Sequence, residues 1–139
     1  MKNFPVRRPG EKVNELVYFG RMLDKIRLHA KGELPEEYQP NLGEGFDGSC
    51  LDFLQIDYAD LVTETKKGGT DEQLLAWCFS KGRRPTENDI QVWNEYMRKR
   101  GWRDELSDIL VRRKRETGMA DRAEIQTMFE FIDADEGRL

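Results

Sequence analysis

The stretch EKVNELVYFGRMLDKIRLHA, residues 11–30, decides the fold. Leu16, Phe19, Leu23, Ile26 and Ala30 recur at three- and four-residue steps and so form one stripe of an α-helix, with Gly20 beside it allowing a neighbour to approach closely. The apolar-periodic run from Val13 to Ala30 predicts one helix from about Glu11, stopped by Lys31 and Gly32. Within it lies a dense block of charge: Arg21, Asp24, Lys25 and Arg27. At about 100° per residue, Tyr18, Arg21, Lys25 and His29 fall roughly opposite the stripe. Asp24 is three residues from Arg21 and from Arg27 and can pair with either.

Working outward, Glu33 to Ser49 holds Pro35, Pro40, Gly43, Gly45 and Gly48 and reads as a long loop. Cys50 to Ile56 reads as a short helical turn, and Asp57 as the cap of a helix through Lys67. Thr70 with Gln73 is a capping-box pair opening a helix with Leu74, Leu75, Trp77 and Cys78. Thr86 to Asp89 opens another, with Ile90, Trp93 and Met97 inward and Arg98, Lys99 and Arg100 at its C-terminal end. A helix from about Arg103 to Thr117 carries Leu106, Ile109 and Leu110, and Asp121 caps a last one carrying Ile125, Met128, Phe129 and Ile132. Strand-like alternation is absent. The expectation is an all-α single domain over residues 1–139, with about six helices and a long loop after the first.

Composition agrees with a folded, strongly solvated chain. Hydrophobic residues are 37% and charged ones 36%, but 3 Trp, 7 Phe and 4 Tyr supply the bulky anchors a disordered chain lacks. Charge is segregated: residues 1–30 carry seven cations against three acids, 31–80 three against eleven, 81–115 eleven against six, and 116–139 two against seven. That pattern predicts internal neutralisation and disfavours general nucleic-acid binding. Met1 to Arg8 contains no apolar run of signal-peptide length and nothing resembles a membrane span, so a cytoplasmic protein is expected. Cys50 and Cys78, the two cysteines, are expected as buried thiols.

The whole chain, rather than any one motif, resembles a family of short bacterial proteins catalogued as a domain of unknown function. Three blocks carry the resemblance: Arg21, Asp24, Lys25 and Arg27 on the first helix; Leu51 to Asp57 leading to Thr70–Trp77; and a closing Thr127 to Arg138 with its Ile132-Asp133-Ala134-Asp135-Glu136-Gly137-Arg138 run. The resemblance implies an all-helical fold and brings no activity, substrate or cofactor.

Three function classes compete. The leading expectation is a non-enzymatic interaction module, because no Gly-rich phosphate loop, nucleophile elbow or histidine-centred triad is present. The second is a small enzyme or anion-binding protein using Tyr18, Arg21, Asp24, Lys25 and Arg27 beneath the Glu33 to Gly48 loop, with Arg21 and Lys25 holding a phosphate or carboxylate, Asp24 orienting an arginine, and Tyr18 and His29 adding polar contacts or proton transfer. The same spacing is what any solvated amphipathic helix produces. The third is nucleic-acid binding through residues 98–115, where Lys99, Arg100, Trp102 and Arg103 mix cations with an aromatic, though cations also suit helix C-termini. No metal or cofactor is expected: His29 is the sole histidine, Glu36, Glu37, Glu44, Asp47 and Asp52 lack ligand spacing, and the Asp133–Gly137 run lacks a complete calcium-ligand set.

Overall fold

In the computed structural model, which describes residues 5–139, the chain pairs with itself before its first helix begins. Strand β1 (Lys12–Val13) runs antiparallel to β2 (Leu16–Val17), with Val13 opposite Leu16. Asn14 and Glu15 both take positive φ, 43° and 74°, the two-residue loop geometry whose twist matches a hairpin. Helix α1 (Phe19–Ala30) therefore starts eight residues later than its periodicity predicts. The reason is tertiary. Asn94 accepts the Val17 N–H at 3.1 Å and donates to the Glu15 carbonyl at 2.7 Å, while the Trp93 indole N–H donates to the Val17 carbonyl at 3.2 Å. These distant side chains supply the hydrogen bonds that a helical turn would otherwise have supplied.

Beyond α1 come α2 (Phe46–Leu54), α3 (Tyr58–Lys66), α4 (Asp71–Lys81), α5 (Glu87–Lys99), α6 (Ser107–Glu116) and α7 (Met128–Asp135). The predicted loop from Glu33 is shorter than expected, because a 3-10 helix over Glu36–Asn41 and the start of α2 fall within it. The capping box at Thr70 forms as predicted and Thr86 makes a second: Thr70 and Thr86 accept the N–H of Gln73 and Asp89, whose side chains return the bond. Helix α6 begins at Ser107, since the Asp104 carboxylate accepts the Gly101 and Leu106 N–H groups and holds the preceding residues in a turn. Helix α7 is capped by Thr127 rather than Asp121. Residues ahead of it are held in turns by Lys114, whose ammonium donates to the carbonyls of Arg122 and Ile125.

The main core gathers Leu16, Phe19, Met22, Leu23, Leu54 and Leu75 around α1, each completely shielded. Cys50 and Cys78 are buried free thiols in the same cluster. Trp77, expected inward, packs half-buried at its edge. A smaller cluster of Leu110, Met119, Ile125, Met128 and Phe131 joins α6 to α7. The face of α1 opposite the stripe is shielded at Arg21 and Lys25, which are 5% and 4% exposed. Among the described residues no helix is long and apolar enough to cross a membrane.

Candidate functional site

The late start of α1 puts Tyr18 at its N-cap with φ 77°, a sparsely populated conformation for a non-glycine residue, and sends its ring inward. Tyr18, Arg21 and Lys25 then follow at three- and four-residue spacing along the side that meets the 3-10 helix, the N-terminus of α2, and α7. Together with α6 these elements enclose an open cavity of about 430 Å³. One wall is apolar, made by Phe46, Leu106, Ile109, Met128, Phe131 and Ile132. Tyr18, Phe46 and Phe129 pack ring against ring behind it, with centroids 5.6–6.2 Å apart.

The cavity floor consists of two buried ionic groups. Arg21 makes a fork to Glu136, Nη1 to Oε1 at 2.9 Å and Nη2 to Oε2 at 2.6 Å, and Nη1 also donates to the Arg7 carbonyl. Glu136 further accepts from Tyr38 Oη at 2.8 Å and from Arg138 at 2.7 Å. Beside it, Lys25 Nζ lies 2.8 Å from Asp47 Oδ1 and donates to Tyr18 Oη at 3.2 Å. Tyr18 in turn donates to Asp47 Oδ1 at 2.7 Å, and the Gly43 N–H donates to Oδ2 at 3.0 Å. Asp47 is fully shielded from solvent.

Burial sets the acid–base character of this floor. It pulls the Lys25 ammonium below its ordinary range, and the adjacent Asp47 opposes that shift without cancelling it. It pushes the Tyr18 hydroxyl well up, reinforced by Asp47, and raises Tyr38 in the same way beside Glu136. Each cation of the floor already holds a carboxylate of the chain. The rest of the cavity's charged lining is Glu37, Glu44 and Asp135 with a single cation, Arg113, which has no ion-pair partner among the described residues.

The first and last sequence blocks thus meet in one place, through Arg21 and Glu136. A family model for a domain of unknown function, DUF5069, matches residues 3–138. The chain belongs to the DUF5069 family. A search of the curated proteins finds no match.

Of the six residues expected to form a site in this DUF5069 chain, three line the cavity and three do not. Asp24 and Arg27 face the other way. Asp24 accepts from the backbone N–H, Nε and Nη2 of Arg7 at 2.8–2.9 Å, and Arg27 donates to Asp71 at 2.7 Å while only approaching Asp24 at 4.0 Å. Asp24 makes no pair with Arg21, whose guanidinium is taken by Glu136. His29 is exposed near the end of α1. Arg21 and Lys25, expected to hold a phosphate or carboxylate, each already hold a carboxylate of the chain.

Sequence reasoning missed Tyr38 and Glu136 as site residues and weighed Asp47 only as a metal ligand. Asp47 and Glu136 each precede a glycine, a signal that becomes informative once a buried cation needs a partner, whereas Tyr38 stands between Glu37 and Gln39 and carries no local signal. Among the described residues no group of three or more His, Cys, Asp and Glu side chains is placed to hold a metal. Asp133 is instead forked by Arg8 at 2.8 and 3.1 Å. In the basic segment, Lys99 pairs with Glu95 at 2.8 Å, Arg100 pairs with Asp104 at 3.0 Å, and Arg103 stacks over the Trp102 ring.

Proposed function

We propose that this chain is a binding protein for a small, largely neutral organic molecule with an apolar portion. The observation that carries the reading is the floor itself: Arg21 with Glu136 and Lys25 with Asp47, neutralised in pairs beneath an apolar wall. A cavity of that make-up offers oriented donors and acceptors for one polar group and dry surface for the rest of a ligand. On the floor, an added phosphate or carboxylate would have to displace Glu136 or Asp47 and leave a buried charge without its partner, which is costly, and beside Arg113 it would meet the cavity carboxylates Glu37, Glu44 and Asp135. A panel of neutral, zwitterionic and anionic metabolites tests this by thermal melting. Neutral members are expected to raise the melting temperature and anionic ones to leave it unchanged. Ile109→Trp, which fills the wall, should remove the shift. A response to anions alone overturns the reading.

The interaction-module reading has its own support on the opposite chemistry. Val92, Tyr96 and Trp102 are 60%, 48% and 47% exposed and line one shallow groove on α5 and the turn after it. Exposed large apolar side chains gathered in one patch favour contact with another protein surface. If this groove joins two copies of the chain, light scattering will show a concentration-dependent mass that Trp102→Ser abolishes. A constant monomer mass removes self-association. Binding of nucleic acid by residues 98–115 has less support, because Lys99 and Arg100 are engaged by carboxylates.

A further inference from the structure

Lys25 is the one lysine among the described residues that line the cavity, and it is nearly as buried as the core leucines. Two of its three N–H donors are accounted for, by Asp47 Oδ1 at 2.8 Å and Tyr18 Oη at 3.2 Å, and the third has no partner among the described residues. A carboxylate in contact with the amine and a phenol bridging both is the arrangement that moves protons on and off a nitrogen. We propose that Lys25 is an imine-forming nucleophile for a neutral aldehyde or ketone admitted to this cavity, an inference that rests on the small-molecule reading above. Burial supports it by drawing Lys25 toward the uncharged amine, the form with a lone pair to donate.

The step balances within the site. Lys25 passes a proton to Asp47, and the amine lone pair attacks the carbonyl carbon. The C–N bond forms as the C=O π pair moves to oxygen. Loss of a nitrogen proton and gain of one at oxygen give a neutral carbinolamine. Asp47 then returns its proton to the hydroxyl, the C–O bond breaks, water leaves, and the nitrogen lone pair closes the C=N bond. The product is a protonated imine beside an ionised Asp47, so the pair that held the ammonium still holds its cation. Neutral carbonyl compounds are favoured over keto acids because Arg21 is already forked by Glu136 and the lining carries Glu37, Glu44 and Asp135 against Arg113.

The full chain is incubated with butanal and cyanoborohydride at neutral pH, and the modified lysines are identified by peptide mass mapping. Lys25 is expected to gain a butyl group at least about tenfold faster than exposed Lys12 and Lys99. Lys25→Met/Asp47→Asn, which removes the pair together, should lose only that adduct. Pyruvate should label Lys25 far more slowly. Melting with butanal and with butan-1-ol, without reductant, separates the two readings. If both stabilise the protein equally while Lys25 stays unmodified, the imine is overturned and the binding pocket stands. If no neutral compound of the panel shifts the melting temperature, the pocket itself falls. Labelling of Lys25 no faster than of exposed lysines also overturns the proposal.

Discussion

Lys25 and Asp47 are held 2.8 Å apart with almost no contact with solvent, so each is the condition for burying the other. Removing one partner leaves an uncompensated buried charge, whereas removing both leaves a polar but neutral contact. Lys25→Met is expected to destabilise the fold by about 3–5 kcal/mol, and Lys25→Met/Asp47→Asn by clearly less than the two single changes together. Chemical denaturation of the three variants measures the difference. The two thiols provide a second residue-level check. Burial, with Asp47 adding to it, pushes Cys50 well up, and burial alone pushes Cys78 up to about 12. At pH 8 neither should react with Ellman's reagent in the native protein, and both should react in guanidinium. That both cysteines are buried is legible in their type and in an apolar setting. The environment of Arg21 is not: helical spacing puts it opposite the apolar stripe, and its partner Glu136 lies 115 residues away.

At the scale of the element, local signals foretell some features and distant contacts decide others. The capping boxes of α4 and α5 lie within four residues, so a pattern of Thr followed by Gln or Asp suffices to place them. The hairpin does not announce itself, because Asn14-Glu15 is an uncommon pair for its loop and its outer edge is satisfied by Asn94, about 80 residues on. The junction between α2 and α4 depends on a residue that sequence pattern marks only as a helix stop. At Gly82 a Cβ would lie 2.3 Å from the Leu54 carbonyl oxygen and 2.5 Å from that of Gln55, and the Arg83 N–H donates to the same Leu54 carbonyl at 2.9 Å. The two nearest atoms are backbone oxygens, which have no flexible end to yield. Gly82→Ala is expected to cost about 2 kcal/mol or more, whereas Gly10→Ala, which meets nothing within 4 Å, should be near neutral. Thermal melting of the two variants compares them directly.

Across the whole molecule, the segregated charges of the sequence meet as ion pairs between segments. The basic opening segment supplies Arg7 and Arg27 to Asp71, Arg8 to Asp133, and Arg21 to Glu136, while Arg138 donates to the Val6 carbonyl and closes the two ends of the chain together. The basic middle segment instead satisfies Arg98 and Lys99 with its own Glu95. Acid should therefore loosen the fold first where the opening segment is tied to α1 and α4. The Arg7 hydrogen bond, helped by Arg27 and opposed by partial burial, holds the Asp71 carboxyl below the usual carboxylate range. Because the folded value is depressed, its stabilisation is present above the unfolded value of about 3.9 and is lost as pH falls through the folded value. Asp71 is partly solvated, so screening limits the effect to on the order of 1 kcal/mol, or about 4 °C in melting temperature. Asp71→Asn should melt lower than the parent chain at pH 6, and the two curves should converge as pH is lowered toward 2.5. A constant gap between them from pH 6 to 2.5 would show that the carboxylate's charge is not what ties the opening segment down.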